Sequence, residues 1–288
     1  MKVAFFGTPE ICIPTLRALL ASHHKIVCIV TQPDKPKGRG GELSTSAVKK
    51  FAIENNIVCF QPEKISREIE KLFAKIEEPD VIVTCAFGQI LRQNVMDYCK
   101  YGVINVHWSL LPKYRGASPI NFAIIAGEKK TGITIMQTDI GIDTGDIITQ
   151  TECEIGDTET AGELAGRLSM LGADALLDAL DKIEQCKATR TPQDHTKATY
   201  FPMLKKSDGE IDWGKNAHDI VNFVRGMNPW PCAWAHSTHG VVKIHRAHTE
   251  HGDLVIDIIQ ANGTRPMSMR DFKNGHKDFE WTGATRNG

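Results

Sequence analysis

The 288-residue sequence has eight cysteines but no Cys-x-x-Cys pair. Cys12, Cys28, Cys59, Cys85, Cys99, Cys153, Cys186 and Cys232 are scattered, several of them inside apolar runs, which argues for reduced, buried thiols and against a zinc site or a disulfide framework. A long hydrophobic run is missing too. No stretch approaches the roughly 18 apolar residues that span a bilayer, and the opening Met1-Lys2-Val3-Ala4-Phe5-Phe6 reaches Gly7 and Pro9 too soon for a signal-peptide core. A cytoplasmic location is expected. Net charge is almost absent at −1, so any surface for a polyanion must be local. No Gly-x-Gly-x-x-Gly follows the first apolar run, so a sheet built on it need not bind a dinucleotide.

What is present is an alternation. Short β-branched runs at residues 2–6, 26–31 and 80–86 are separated by helix-like stretches at 16–22 and 46–55, and further strands are expected at 102–106, 132–138 and 147–152. That order predicts an α/β fold with a doubly wound, mostly parallel sheet. A helix over about 160–185 opens on Thr160-x-x-Glu163, a capping-box pattern, and carries Leu164, Leu168, Leu171, Leu176, Leu177 and Leu180 at helical spacing. It should close a first domain, residues 1–186. Residues 187–206 lose periodicity, hold Pro192 and Pro202 and carry a net charge of +4, so they read as a linker over the surface. Residues 207–288 form a second, small β-rich domain, with a helix near 214–227 and strands near 233–236, 241–245 and 254–259.

The chemistry gathers in two places. In Val103-Ile104-Asn105-Val106-His107 the two-residue period puts Asn105 and His107 on one face of a strand, so an amide donor and an imidazole converge. The residues after them leave the sheet at a strand's carboxyl end, where open α/β sheets bind ligands. Asp143 sits in Gly141-Ile142-Asp143-Thr144-Gly145-Asp146, where flanking glycines permit a tight loop able to bring a carboxylate against an imidazole. Alone, each segment also reads as a structural histidine or a solvated loop aspartate.

Taken with other blocks, the chain resembles the methionyl-tRNA formyltransferases over about residues 1–277. The blocks are Phe6-Gly-Thr-Pro9, Thr31-Gln-Pro-Asp34 with Gly38-Arg39-Gly40, Asn105-x-His107 with Ser109-Leu-Leu-Pro112 and Tyr114-Arg-Gly-Ala117, Gly141-x-Asp143-Thr-Gly-Asp146, Ile211-Asp-Trp213 and Asn228-Pro-Trp-Pro231. The resemblance implies a Rossmann-like formyltransferase domain followed by a small, OB-like β-barrel. It implies that Asn105, His107 and Asp143 are catalytic, and that Phe87, Gly88, Gln89, Ile90 and Leu91, together with Ser109, Leu110, Leu111 and Pro112, line the pocket for 10-formyltetrahydrofolate, consumed as a co-substrate. Lys37, Arg39, Lys205 and Lys206 would meet the tRNA. The reaction would formylate the α-amino group of methionyl initiator tRNA for translation initiation, with no metal and no membrane partner, by a monomer.

The sequence departs from that family at three points. Gly41-Glu42 stands where basic residues usually follow Arg39-Gly40. The second domain is short, with strands missing between about Ala247 and Asp253. From residue 207 onward nine Lys/Arg face ten Asp/Glu, with seven histidines, so that domain is not basic. A sugar-amine formyltransferase would share the same three catalytic residues and donor. The net charges of +3 over residues 31–50 and +4 over 187–206 favour the polyanion. A nonenzymatic nucleic-acid-binding protein would have no need of Asn105, His107 and Asp143 in this order.

Overall fold

Seven strands form the central sheet: β1 (Lys2–Gly7), β2 (Lys25–Val30), β3 (Cys59–Phe60), β4 (Val81–Cys85), β5 (Val103–His107), β6 (Lys130–Gln137) and β7 (Ile147–Glu154). The computed structural model describes residues 1–37 and 42–283. Strand order is β7-β6-β5-β4-β1-β2-β3. The pairs from β5 to β3 are parallel, and β6 lies antiparallel to β5. β1 and β4 are buried almost end to end, which is why Val3 to Phe6 and Val81 to Val83 read as unbroken apolar runs: a parallel sheet is covered on both faces.

The helices α1 (Ile13–Ala21), α2 (Ala47–Glu54) and α3 (Ile65–Phe73) belong to the same layer system. Ser46 caps α2 by accepting a hydrogen bond from the backbone N–H of Lys49. α3 turns Ile65, Ile69 and Phe73 inward, a spacing of four that keeps one helical face against Phe6, Val30, Ile82 and Val103. All eight cysteines are free, and Cys12, Cys28, Cys85, Cys99 and Cys232 are buried. Burial pushes the Cys99 thiol up to about 12 and Cys28 further still, so these are inert core side chains.

The chain divides into two units. The first comprises Met1–Arg115, Gly132–Glu152 and Gly166–Thr199; the second comprises Gly116–Thr131, Cys153–Ala165 and the residues from Tyr200 onward. In the second unit α4 (Pro119–Ile125), the start of α5 (Ala161–Glu184) and α6 (Ala217–Met227) accompany four strands. These are β8 (Ala233–Ser237), β9 (Gly240–Glu250), β10 (Asp253–Ala261) and β11 (Met267–Ser268), an antiparallel sheet in chain order. Among the described residues its two outer strands do not pair with each other. Where strands were expected to be missing, β9 and β10 join through His251 and Gly252, both at positive φ (52° and 92°), a two-residue connection that matches the right-handed strand twist. Val224, Met227, Ala233, Val242, Ile244 and Ile259 are among the residues of its core.

The capping box forms as expected. Glu163 Oε2 accepts from both the backbone N–H and the hydroxyl of Thr160 at 2.8 Å, while Arg246 Nη2 donates to Oε1 at 2.7 Å. The Thr160 donors and then the guanidinium hold the Glu163 carboxyl down at about 2. A folded value below the unfolded one means stabilisation that is complete above about 4.5 and is lost as pH falls toward 2. Glu163→Gln should therefore melt below the parent at neutral pH, with the two melting curves converging between those values. A gap that stays constant down to pH 2 would contradict this.

Candidate active site

Asn105 and His107 lie on one face at the carboxyl end of β5, as the two-residue period requires. The register sets Asn105 against Thr84 on β4 and Met136 on β6, and His107 against Thr134. Thr84 Oγ1 donates to Asn105 Oδ1 at 3.0 Å. That bond orients the amide: its oxygen faces the sheet, and its nitrogen donates to no protein group among the described residues.

His107 is 4% exposed, and both of its ring nitrogens face oxygens. Nε2 is 2.9 Å from the carbonyl of Tyr114, and Nδ1 is 3.6 Å from Asp143 Oδ2, an ion-pair distance rather than a direct hydrogen bond. Asp143 reaches this position from a left-handed backbone, φ 52°, which Asp tolerates better than most side chains. Gly145 lets the loop fold back, because a Cβ there would overlap the carbonyl of Gln137. The three residues singled out in the sequence thus come together in one unit.

Gln193 carried no signal in the sequence. It comes from the polar stretch expected to cross the surface, yet it is 6% exposed. Its amide nitrogen donates to the carbonyls of Asp143 (2.9 Å) and Gly145 (2.7 Å), and its oxygen accepts from Nε and Nη2 of Arg115 at 3.2 and 2.6 Å. Arg115 is fully buried. Gln193→Ala should cost about 1–3 kcal/mol through the buried donors and acceptors it leaves unmatched. The loosened loop should lower turnover about tenfold. Chemical denaturation and steady-state kinetics on the same preparation check both; wild-type turnover in a destabilised variant would make Gln193 a brace of the fold only.

The other expected site residues fall into two groups. Phe87 is buried against Phe6, with ring centroids 5.0 Å apart, and Gln89 ties the loop to the backbone N–H of Ile65 and the carbonyl of Pro62. Between and after them Gly88 takes φ +81°, Ile90 is 90% exposed and Leu91 is half-buried. In the second loop Ser109 is fully buried and donates to the carbonyl of Lys113, so its hydroxyl braces the turn. Leu111 is buried, its N–H donating to Thr134 Oγ1 and its carbonyl accepting from Gln150 Nε2, while Leu110 and Pro112 are half-buried. Thr134 and Gln150 are further supports that the sequence did not single out. In the second unit Lys205 and Lys206 are exposed. Arg39 lies outside the described residues, as does the side chain of Lys37; the backbone on either side, Lys35–Lys37 with Glu42–Ser44, pairs antiparallel.

An amide donor and an imidazole–carboxylate pair at the carboxyl end of a parallel sheet make a site for group transfer at a carbonyl. The chain belongs to the formyl transferase family: the family model for the formyl transferase domain matches residues 1–180, and that for the formyl transferase C-terminal domain matches residues 203–253. Within it, the chain is 44% identical to the methionyl-tRNA formyltransferase of Acetivibrio thermocellus over 96% of this chain and 97% of that one. It is 48% identical to that of Clostridioides difficile over 85% and 79%. Among solved structures, methionyl-tRNA formyltransferase from Clostridium thermocellum matches with a TM-score of 0.61 at 18% identity, covering 93% of this chain and 99% of that one. The sugar 3N-formyltransferase WlaRD, solved in the presence of dTDP and 5-N-formyl-THF, matches at 0.66 and 20% identity, covering 93% of each chain. At these identities the structural likeness speaks for the fold.

Proposed function

We propose that this chain transfers the formyl group of 10-formyltetrahydrofolate to the α-amino group of methionyl initiator tRNA, acting as a monomer in the cytoplasm. The observation that carries the chemistry is the convergence of Asn105, His107 and Asp143; the tRNA assignment rests on the 44% and 48% identical relatives, whose names specify that substrate. An α-amino group has a pKa near 7.7–8.0, so roughly a tenth is free base at neutral pH and no strong base is needed to start. Attack on the formyl carbon creates an oxyanion, and a positioned donor that strengthens its bond as that charge develops lowers the barrier. Asn105 Nδ2 is a donor left without a protein partner among the described residues. His107, held between Asp143 and the Tyr114 carbonyl, is suited to move the proton from the attacking nitrogen to the departing folate nitrogen.

For the folate, Ile90 and Leu91 on one loop and Leu110 and Pro112 on the other offer apolar contact, while Phe87, Gln89, Ser109 and Leu111 hold those loops in place. For the tRNA, Lys37 and Arg39 remain the proposed contacts on the first unit. On the second unit, Lys206 shares a cavity of about 390 Å³ with Lys243, Trp234, His236 and a half-exposed Trp230, which combines cations for phosphates with rings on which a base can stack.

Neutralising Lys206 and Lys243 together should reduce the salt dependence of tRNA binding by about two units of slope in log K against log salt, and leave the folate dissociation constant unchanged. An unchanged slope would remove this surface from the tRNA site. The function itself is tested by release of tetrahydrofolate from the donor, which should depend on methionyl initiator tRNA and stop when its amino group is blocked by acetylation.

A further inference from the structure

We infer that Gln32 is a positioning residue for the formyl donor, fixing the main chain of loop 87–91 from the stem of the segment that carries Lys37 and Arg39; the inference rests on the assignment of that loop to folate. The loop has little of its own to hold it. Ala86 and Gly88 take φ 46° and 81° on either side of Phe87, and among the described residues the carbonyl of Phe87 is the one main-chain group of residues 87–91 that is hydrogen-bonded to protein. Two donors reach it. Gln32 Nε2 donates at 3.1 Å and Thr8 Oγ1 at 3.2 Å, enough to occupy both lone pairs of the oxygen. Rotating the peptide between Phe87 and Gly88 would break both bonds, so together they set the direction in which the unpaired main-chain groups of residues 88–91 point.

Gln32 is itself held from behind. Its N–H donates to Thr8 Oγ1 at 3.3 Å, and its carbonyl accepts from Gln61 Nε2 at 2.9 Å. Pro33 confines it further, because the residue before a proline is restricted to extended backbone. Gln61 Nε2 also donates to Asp34 Oδ1 at 2.9 Å, and Lys49 Nζ donates to Asp34 Oδ2 at 2.5 Å. Thr31 is fully buried, with its hydroxyl 3.0 Å from that of Ser46, the cap of α2. Thr31 and Asp34 precede segment 35–45 while Ser46 and Lys49 follow it, so these contacts close the stem of the segment. Within Thr31-Gln-Pro-Asp34 the work is therefore divided: Thr31 and Asp34 pin the stem, and Gln32 crosses from it to the folate loop.

That division predicts which step responds. Among the described residues Gln32 makes no hydrogen bond to Asn105, His107 or Asp143, so its loss should reach folate binding and leave the chemical step alone. The stem contacts of Thr31 and Asp34 do not involve the Gln32 side chain, so the tRNA segment should be spared as well.

The test combines equilibrium binding of 10-formyltetrahydrofolate with steady-state formylation of methionyl initiator tRNA by the full chain. Gln32→Ala should raise the dissociation constant and KM for 10-formyltetrahydrofolate about three- to tenfold, the usual contribution of one hydrogen bond, with kcat and the tRNA KM within about twofold of the parent. Gln32→Glu keeps the length of the side chain but has no N–H to donate, and should lose as much. Gln61→Ala is the control for a merely structural role, because it cuts two bonds of the same stem and leaves both donors on the Phe87 carbonyl. It should lower the melting temperature while the folate KM stays within about twofold of the parent. Unchanged folate affinity in Gln32→Ala, parental affinity in Gln32→Glu, or a folate KM raised as far by Gln61→Ala would overturn the inference alone. A parent that does not bind 10-formyltetrahydrofolate would overturn the folate assignment, and the inference with it.

Discussion

Replacing Asn105 with alanine is expected to lower turnover by about 10²–10³-fold, the usual cost of removing one donor to a developing oxyanion. The argument rests on how the side chain is held. Thr84 takes up the amide oxygen at 3.0 Å, so Nδ2 is the group left to meet a reacting carbonyl at the end of β5. The residue is partly exposed and makes no other side-chain bond among the described residues, so the variant should melt close to the parent. Folate affinity should be nearly unchanged, because a donor that acts on the transition state contributes little to ground-state binding. Turnover within threefold of the parent in a stable variant would exclude Asn105 from this role, and Thr84→Val, which frees the amide to rotate, should give a smaller loss.

Asp143→Asn is expected to lower turnover by about 10²-fold across pH 6 to 8, the range of effect of a positioned acid–base group. Asparagine is the informative replacement because it adopts the left-handed backbone at φ 52° that alanine would strain. Its shape matches, and the loop carbonyls that bind Gln193 are untouched. The negative charge 3.6 Å from His107 Nδ1 is removed. Melting temperature should therefore hold while the pH–rate profile drops as a whole. Preserved activity would make Asp143 a loop residue whose proximity to His107 has no chemical consequence.

Six strands of the central sheet were legible, because runs such as Val81 to Val83 are buried on both faces and need no polar interruption, whereas the two-residue edge strand β3 is too short to leave a run. Asn105 and His107 could be paired from the two-residue period alone, and Thr160-x-x-Glu163 marked the start of α5 because the capping box is a local exchange of two bonds. What the sequence hid was decided by backbone or by distance along the chain. The Nε2 bond of His107 depends on where a loop seven residues later places the carbonyl of Tyr114, itself at φ 59°. Gln193 is recognised only by the carbonyls it reaches fifty residues away, and a polar residue in a stretch without periodicity leaves no pattern. α3 is a different case: Ile65, Ile69 and Phe73 recur at helical spacing with charged residues between them, the pattern of an amphipathic helix with one buried face. The short second domain was visible as missing length, and the structure explains it by a two-residue turn.

The central claim is the identity of the acceptor. The purified chain should be given labelled 10-formyltetrahydrofolate with methionyl initiator tRNA, methionyl elongator tRNA and a panel of nucleotide-linked amino sugars in one competition, and the formylated product identified. Formylmethionyl initiator tRNA as the dominant product, lost together with tetrahydrofolate release in the Asn105→Ala variant, is the result expected. Formylated sugar with no formylated tRNA would contradict the account while leaving the three-residue site intact.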